Sequence, residues 1–523
     1  MNESSLVYET IADFSGGMDH SKAISDMSPQ ASTLLKNVEV RQGRHIGSRA
    51  GHKLYTNTTI REHNLNQALE GFYEYNYGGS KIFIIPCNGR VYTYDPTTGA
   101  YTDTGRTYTK GNLNHFVEHA STVVMYNGVD APQSYNGTTW TTLSSAPVAT
   151  MSEAFMGNLF WNDVSDPSKV TFSEYRNGAS YPATYFRDVS ESKFDAMRAI
   201  RKVNDAVGGL GFSRRESWTL IGRTHNDFAF YPLASGVGCV AHETLQISDG
   251  IPIWLDVKGF YTIGPNNMPV RFKQMDSIFI DVDYSRITKA WARILDPGPN
   301  KSKQYVCGIT LGTGASSNNY LFVYDFDVGC WRIDTGLPCD VLAVGLDSNG
   351  RDVLYGLGID GKIYQLYTGT SDNGNAIDTS WISYPFYFRQ QLGERGASFK
   401  KQLTGFDIFY RSKYASTLQL IVTADTHGQV ASHGPTGSIL GYHAQTLSAE
   451  PAMPAQYSID TAKSTTHFLR TKYLDIAKVD VNVTGNYFQL RMDCNDGEQD
   501  WEVFKIIARA KPIGIRALPE IVT

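Results

Sequence analysis

The residues of this chain whose types and spacing most suggest chemistry are two pairs of carboxylates. Asp281 and Asp283 form one pair, and Asp325 and Asp327 form the other. In a strand, residues i and i+2 share a face, so each pair offers two carboxylates for metal binding or glycoside hydrolysis. Neither pair has a partner carboxylate at a defined spacing, and acidic residues are common near strand ends. We therefore predict no catalytic, cofactor-binding or metal-binding residue in this chain.

A glycine-rich stretch, residues 356–362, matches G-x-G-x-x-G and nearly matches a phosphate-binding loop. Both motifs require a strand before and a helix after, so that the N-terminus of the helix faces the phosphate. Here Ile363 replaces the Ser or Thr that reaches the metal, and residues 362–367 continue as an alternating strand. This context favours a hairpin turn over a nucleotide site.

Two further near-matches each lack a required residue. Residues 493–497 have the composition of a calcium loop, but the Gly is one position early and no Glu follows at the right distance. His242-Glu243 lacks the second His of a zinc-binding helix. No G-x-S-x-G occurs, so a nucleophile elbow is not supported either.

The composition indicates a β protein without strong affinity for nucleic acid. Aromatic residues make up 12% of the 523 residues, and 48 residues are Gly, which suits pleated strands and tight turns. The net charge is −5, whereas tight phosphate binding needs clustered Lys and Arg. A modest basic cluster, Lys400-Lys401 with Arg411 and Lys413, is interpreted as a solvated face or a salt-bridged subunit contact rather than a DNA-binding surface.

Cysteine usage and hydropathy indicate a protein made in the cytoplasm. The six cysteines are scattered without a CxxC motif, so we expect reduced, mostly buried thiols. The polar start, Met-Asn-Glu-Ser-Ser, lacks the features of a signal peptide, and no run of about 18 apolar residues predicts a membrane-spanning segment.

The elements that would position these residues are short aromatic hairpins, repeated from about Ala68 to Tyr367. Each consists of an alternating strand, a tight turn such as Asn88-Gly89 or Asp249-Gly250, and a second strand. The repeat of roughly 40–50 residues is typical of propeller blades. The predicted fold class is all-β, with a β-propeller of about six or seven blades over residues 61–376.

The flanking regions differ from the blades. Residues 1–60 are predicted to form an N-terminal arm with one short helix from Ser28 to Asn37, because Pro29 suits a first helical position. Residues 377–523 have longer strands and predict a C-terminal β-sandwich-like domain with a long polar loop at about 425–458. A second helix is predicted between blades, over residues 190–205, followed by a turn at Gly208-Gly209.

Three ordered stretches of the chain resemble one protein family. The first stretch contains Phe14-Ser-Gly-Gly-Met18, Ser28-Pro-Gln-Ala31, Asn37-Val38, Gly43 and Ser48-Arg-Ala-Gly51. The second contains Phe155-Met-Gly-Asn-Leu-Phe-Trp161, Pro167-Ser-Lys-Val-Thr-Phe-Ser-Glu174 and Tyr181-Pro182. The third contains Pro232-Leu-Ala-Ser-Gly-Val-Gly-Cys-Val-Ala241 and Gly259-Phe-Tyr261. In this order they resemble the tail nozzle (hub, or packaged-DNA stabilisation) proteins of short-tailed bacteriophages. The C-terminal third matches no motif of that family.

The resemblance implies a structural virion protein of the phage tail, made in the host cytoplasm, that is not an enzyme and needs no cofactor. It implies a ring, commonly a homo-hexamer, which extends the DNA channel below the portal, retains packaged DNA and passes it during ejection. The implied partners are portal and head-tail adaptor proteins, tail fibres or spikes, and a plug or needle. Double-stranded DNA would pass through the lumen without sequence-specific binding, and we expect an acidic or mixed lumen charge because a basic wall would hold phosphates. The N-terminal arm is expected to contact a neighbouring subunit or the adaptor.

An alternative function is a receptor-binding or polysaccharide-degrading phage tail protein. It predicts paired carboxylates in a cleft or aromatic platforms for sugar rings. A bacterial extracellular propeller is a third interpretation, disfavoured by the polar start of the chain.

Overall fold

The computed structural model describes residues 6–19, 21, 27–55, 70–77, 80–189, 195–204, 208–299, 301–358, 360–413, 417–425, 442–448 and 475–513. This part of the chain is all-β, as predicted. Its helical content is confined to a single α-helical turn, Arg389–Leu392, and short 3₁₀ turns such as His242–Thr244 and Ile278–Asp281.

Six short strands precede the propeller: β1 (Val7–Ile11), β2 (Gly17–Met18), β3 (Ala31–Lys36), β4 (Val38–Val40), β5 (Ile46–Ser48) and β6 (His52–Leu54).

The next five units are four-stranded antiparallel sheets, each formed by consecutive strands. Blade 1 contains β7 (Tyr73–Tyr77), β8 (Ser80–Cys87), β9 (Arg90–Asp95) and β10 (Ala100–Thr107), and blade 2 contains β11 (His115–His119), β12 (Thr122–Tyr126), β13 (Gln133–Tyr135) and β14 (Trp140–Thr142). Blade 3 contains β15 (Ser152–Phe155), β16 (Asn158–Asn162), β17 (Lys169–Phe172) and β18 (Phe186–Asp188). Blade 4 contains β19 (Ala199–Asn204), β20 (Gly208–Phe212), β21 (Glu216–Ile221) and β22 (Ala229–Ser235), and blade 5 contains β23 (Gln246–Ser248), β24 (Ile251–Asp256), β25 (Gly259–Ile263) and β26 (Pro269–Arg271).

Two more units complete the propeller. Blade 6 contains β27 (Trp291–Leu295), β28 (Gln304–Ile309), β29 (Tyr320–Asp325) and β30 (Cys330–Thr335), and blade 7 contains β31 (Val341–Leu346), β32 (Asp352–Leu357) and β33 (Ile363–Leu366) with β6 as its fourth strand. Six of these units are separate small sheets, whereas blade 6 continues into a ten-stranded sheet. The predicted propeller of about six or seven blades is thereby confirmed.

The ring is closed by a strand from the N-terminal region. β6 pairs antiparallel with β33, with His52 opposite Leu366 and Leu54 opposite Tyr364. The first strand of every blade lies innermost, and these first strands neighbour one another around the ring. Because they run in the same direction, the turns after first and third strands share one face of the propeller.

The C-terminal strands are β34 (Thr379–Ser383), β35 (Lys401–Ser412), β36 (Thr417–Asp425), β37 (Tyr442–Ser448), β38 (Asp475–Gly485), β39 (Tyr487–Cys494) and β40 (Trp501–Pro512). They form two sheets, one ordered β38-β35-β40-β5-β4 with β1 against β40, and the other continuing blade 6 through β30-β3-β34-β39-β36-β37. Side chains of both sheets share one buried core that includes Phe406 and Leu490. This arrangement is the predicted sandwich-like packing.

The predicted helix from Ser28 to Asn37 is wrong, because Ala31–Lys36 is strand β3. It pairs antiparallel with β34 and contacts β30 through Lys36 and Ile333. Exposed strand edges from distant parts of the chain satisfy its backbone, and this tertiary pairing overrides local propensity. The described strands between residues 7 and 54 all pair within this chain.

The predicted helix over residues 190–205 is also wrong in its described part, because Ala199–Asn204 is β19, the innermost strand of blade 4. Ala199 and Ile200 are fully buried between neighbouring blades, an environment that suits a β-branched side chain on a pleated strand. Gly208, predicted to lie in a turn, instead begins β20 with a φ of 107°. Residues 190–194 and 205–207 lie outside the described residues.

Several local predictions are confirmed by backbone geometry. Both residues of Asn88-Gly89 and of Asp249-Gly250 have positive φ, as a type I′ hairpin turn requires. The glycine-rich stretch begins within β32, which pairs antiparallel with β33, so it belongs to a hairpin, as predicted; residue 359 lies outside the described residues. The loop predicted at about 425–458 is wrong at Tyr442–Ser448, which is strand β37; residues 426–441 and 449–474 lie outside the described residues.

All six cysteines are free and buried, as predicted, and burial raises the pKa of Cys87 and Cys239 to about 11. No helix among the described residues has the length and apolar character needed to cross a membrane.

Candidate functional site

Charged side chains from opposite blades meet at the centre of the propeller. The Nδ1 atom of His115, on β11 of blade 2, lies 2.7 Å from Oε1 of Glu243, which precedes blade 5. Arg293, on β27 of blade 6, donates to the other Glu243 oxygen at 2.6 Å. Since blades 2 and 5 stand across the ring from each other, the contact between His115 and Glu243 crosses the propeller axis. We call His115, Glu153, Arg201, Glu243 and Arg293 the axial cluster.

An aromatic ring holds this contact in place. The indole of Trp291 stacks on the imidazole of His115, with ring centroids 5.0 Å apart and an interplanar angle of 5°. The guanidinium of Arg293 lies over the same indole, 5.3 Å from its centroid. The stack orients both the imidazole and the guanidinium towards Glu243.

Blades 3 and 4 supply the second ion pair of the axial cluster. Arg201 lies 3.1 Å from Glu153 and also donates to the carbonyl of Leu245. The backbone N–H of Lys202 donates to the other oxygen of Glu153. With two carboxylates and two guanidiniums, the formal charges of Glu153, Glu243, Arg201 and Arg293 balance.

The two carboxylates titrate differently because their surroundings differ. Burial raises the pKa of Glu153, and the attraction of Arg201 offsets this only in part. Burial also acts to raise the pKa of Glu243, but Arg293 and the hydrogen bond with His115 hold it well below its usual range. Glu243 is therefore the fixed negative charge around which the cluster is built.

His242 lies beside the axial cluster and stays uncharged at neutral pH. It is 5% exposed, and its Nδ1 has no hydrogen-bond partner. Burial, and then the nearby charge of Arg201, hold the pKa of His242 well below its ordinary value. In the described part of the chain, no group of three or more His, Cys, Asp and Glu side chains has the arrangement of a metal site.

Neither predicted carboxylate pair lies together on a strand face: Asp281 ends a 3₁₀ turn, and Asp325 ends β29 whereas Asp327 lies in the turn that follows. The carboxylate of Asp283 accepts the backbone N–H of Ser285, and that of Asp325 accepts those of Asp327 and Val328. Burial raises the pKa of Asp325. At residues 493–497, Asp493 pairs with Arg491 at 2.7 Å.

The predicted basic surface is divided by the structure. Arg411 forms an ion pair with Glu502 of the same chain, and a contact of this cluster with another subunit stays a prediction. Lys401 contradicts the predicted solvated face, because it is fully buried and donates to the carbonyls of Gly396 and Phe399. Burial lowers the pKa of Lys401 to about 8.

A second buried ionic centre joins the N-terminal region, the propeller and the C-terminal sheets. The guanidinium of Arg49 pairs with both oxygens of Asp372, at 2.9 and 2.7 Å, and donates to Asn37 and to the carbonyl of Thr335. His52 lies 3.1 Å from the same carboxylate. Burial acts to raise the pKa of Asp372, but its bonds to His52 and Arg49 lower it. We call Arg49, His52 and Asp372 the junction triad.

The first residues of the chain pack against β34 and blade 6. Phe14 packs edge-on against Trp381, with ring centroids 5.7 Å apart. The indole N–H of Trp381 donates to Ser32 at 2.9 Å. A Cβ added at Gly17 would lie 2.3 Å from that of Cys330 in blade 6, so only glycine fits there.

Sequence reasoning missed both ionic centres. His242-Glu243 was noticed only as an incomplete zinc motif, and Arg49 only within a resemblance. Their partners lie far away in sequence: His115 is 128 residues from Glu243, and Asp372 is 323 residues from Arg49. The one local signal was the placement of charged residues inside apolar strand patterns, as at Arg201 and Arg293.

Comparisons with known proteins give distant structural likenesses. No protein-family model matches the chain, and no curated protein matches it. The crystal structure of BBS1N in complex with ARL6DN is similar at 10% identity and a TM-score of 0.38, covering 61% of this chain and 97% of that chain. The N-terminal domain of Nup159 is similar at 11% identity and a TM-score of 0.31, covering 70% and 96%. The extracellular domain of a putative one component system from B. thetaiotaomicron is similar at 9% identity and a TM-score of 0.35, covering 76% of this chain and 42% of that one. At these TM-scores the likenesses carry no argument about function.

Proposed function

We propose that this chain is a structural, non-catalytic subunit of a ring-shaped tail nozzle of short-tailed bacteriophages. The observation that carries the proposal is the location of the first resembling stretch. Its residues Phe14, Gly17, Asn37 and Arg49 lie in the junction between the propeller and the C-terminal sheets. Residues of this stretch therefore connect the propeller to the C-terminal sheets.

A firm connection between the propeller and the C-terminal sheets suits a subunit in the wall of a channel that retains packaged DNA. The N-terminal strands β1 to β6 enter both C-terminal sheets and blade 7. The junction triad adds a bidentate ion pair, which is stronger and more directional than a single hydrogen bond. Separation of the propeller from the C-terminal sheets would break all of these contacts together.

The closed propeller axis determines where a DNA channel can lie. The axial cluster fills the centre with ion pairs that cross it, so DNA would not pass through a single propeller. In the proposed ring, the channel lies between subunits, hexameric by the family resemblance. With a net charge of −5, the chain suits an acidic or mixed lumen wall along which phosphates slide.

The outer edge of blade 5 offers a surface for contact between ring subunits. β26 is an edge strand of its sheet, and Met268 beside it and Val270 within it are each 49% exposed. Exposed apolar side chains on an unpaired strand edge favour association unless they are covered. We place a subunit contact of the ring at this edge.

The assembly state of the purified full chain tests the proposal. Light scattering after gel filtration and particle symmetry by electron microscopy would give a closed ring, and co-expressed portal-adaptor protein would co-purify with it. Val270→Asp is expected to release subunits from the ring, whereas Val129→Asp, at a 51% exposed position in blade 2, leaves the ring intact. A chain that remains monomeric, alone and with the adaptor, would contradict the proposal.

A further inference from the structure

A basic cleft of about 870 Å³ opens on the propeller face that carries the turns after the first and third strands of each blade. Blades 2, 3 and 4 all contribute to it. Its lining includes Glu118, Ser121, Tyr175, Arg176, Lys202 and Arg223. Its size lies within the range of small-molecule sites in proteins.

The charge of the cleft is opposite to that of the whole chain. Arg176, Lys202 and Arg223 line it, against the single carboxylate of Glu118, whereas the chain carries a net charge of −5. The carboxylate of Glu118 is held by the hydroxyl of Tyr73 at 2.8 Å. Converging guanidinium and ammonium groups favour a ligand that carries a carboxylate or another anionic group.

An exposed aromatic ring stands at the rim of the cleft. Tyr175 is 65% exposed, and the guanidinium of Arg176 lies 5.4 Å from its ring centroid. A Cβ at Gly157 would lie 2.4 Å from the Tyr175 ring, so the glycine permits close approach of the ring to the backbone. The Gly157 carbonyl accepts the N–H of Arg176 at 2.6 Å and lies 2.9 Å from Nε2 of His119, which fixes the position of the rim.

The backbone around the cleft departs from ordinary turn chemistry. Ala120 and Ser121 form the β11–β12 turn with φ of 47° and 65°, whereas the turns Asn88-Gly89, Met156-Gly157 and Asp249-Gly250, also with two positive φ values, have glycine at the second position. The Ser121 carbonyl accepts the hydroxyl of Tyr75 at 2.8 Å, which holds this turn. Non-glycine residues in this region cost energy and concentrate at binding sites.

We propose that this cleft binds an acidic sugar, with Arg176 and Arg223 on its carboxylate and the Tyr175 ring against the apolar face of the pyranose. Glu118 and Ser121 accept hydrogen bonds from sugar hydroxyls. The carboxylate of Glu118 favours such a ligand over a polyphosphate chain, because it attracts hydroxyl donors and repels phosphates. The proposal is independent of ring assembly.

Calorimetric titration of the full chain with a glucuronate–glucose disaccharide tests the proposal, with cellobiose as the neutral probe of matched size. The acidic disaccharide is expected to bind at least about tenfold more tightly than cellobiose. Arg223→Ala and Tyr175→Ala are each expected to weaken its binding about tenfold or more. Arg214→Ala, at an exposed position on the opposite face of blade 4, is the matched control and is expected to leave binding unchanged.

Several results would overturn the proposal. These are equal affinity for the two disaccharides, no binding of the acidic one at millimolar concentration, or equal loss of binding in the Arg214 variant. Inorganic phosphate that competes as strongly as the acidic disaccharide would mean a simple anion site. A single-stranded oligonucleotide that binds more tightly would mean a nucleic-acid site. Unchanged circular dichroism and melting temperature show that the variants fold, and the mass of the particle, measured in parallel, reports on the ring separately.

Discussion

The imidazole of His115 and the carboxylate of Glu243 meet across the axis of the propeller at 2.7 Å, although 128 residues separate them in the sequence. The contact joins blade 2 to the start of blade 5, and Arg293 of blade 6 completes it. The hydrogen bonds within each four-stranded sheet do not by themselves require the blades to close into a ring. The contacts of Glu243 with His115 and Arg293 favour the closed ring of blades, because the buried charges of Glu243 and Arg293 are compensated only when these blades are in place.

Replacement of Glu243 by Gln is expected to destabilise the protein strongly. The substitution removes the charge that compensates Arg293, and breaking a buried ion pair costs about 3 kcal/mol or more. Urea unfolding followed by tryptophan fluorescence measures the effect. Asp249→Asn removes one partner of the exposed pair with Lys303 and is the control, with an expected change below about 1 kcal/mol. Similar losses in both variants would contradict the role of the axial cluster.

His242 is expected to make the protein less stable as the pH falls below about 6.5, the ordinary value for a histidine. Its folded-state pKa is held well below that value. In mildly acidic solution the unfolded chain therefore takes up a proton that the folded chain does not, and the free energy of unfolding decreases with decreasing pH. His242→Leu is expected to flatten the decrease between pH 6.5 and 5.5. An equally steep decrease in this variant would assign the effect to other groups, such as His119, whose pKa burial also lowers.

Replacement of Arg49 by Lys is expected to loosen the connection between the propeller and the C-terminal sheets. Lysine retains the charge but cannot supply the planar fork that binds both oxygens of Asp372 and reaches Asn37. We expect a loss of about 3 kcal/mol, with faster proteolysis between the two units. Lys36→Arg, at a partly exposed ion pair with Asp378, is the control. Equal proteolysis rates for both variants and the unchanged protein would argue against the junction triad.

Alanine at Gly17 is expected to be much more harmful than alanine at Gly99. Both glycines have positive φ, 61° and 70°, so both substitutions carry a backbone strain of roughly 1 kcal/mol or more. At Gly99 the added Cβ has open space, whereas at Gly17 it meets Cys330 of blade 6 at 2.3 Å. Overpacking adds roughly 1–3 kcal/mol at Gly17. Melting temperatures of the two variants measure the difference, and equal shifts would mean that the contact relaxes freely.

The sequence by itself determined what depends on neighbouring residues. The aromatic alternation predicted the hairpins, and the turn chemistry of Asn88-Gly89 predicted positive φ at both positions, because few residue types adopt that backbone. The strand that follows Gly361 identified the glycine-rich stretch as a hairpin connection. From these local patterns the all-β class and the propeller followed.

Only the tertiary structure decided the features that depend on distant partners. Residues 31–36 form a strand because β34 and β30, far away in the sequence, pair with them. Residues 199–204 pair with the adjacent β20, and their burial between neighbouring blades favours the strand. Glu243 and Arg49 are buried because a partner from a distant segment compensates each charge. The sequence shows which residues are charged but not how far apart they lie in the folded chain, and Coulomb and hydrogen-bond energies depend on that distance. The closed axis and the basic cleft therefore depend on the packing of the blades side by side.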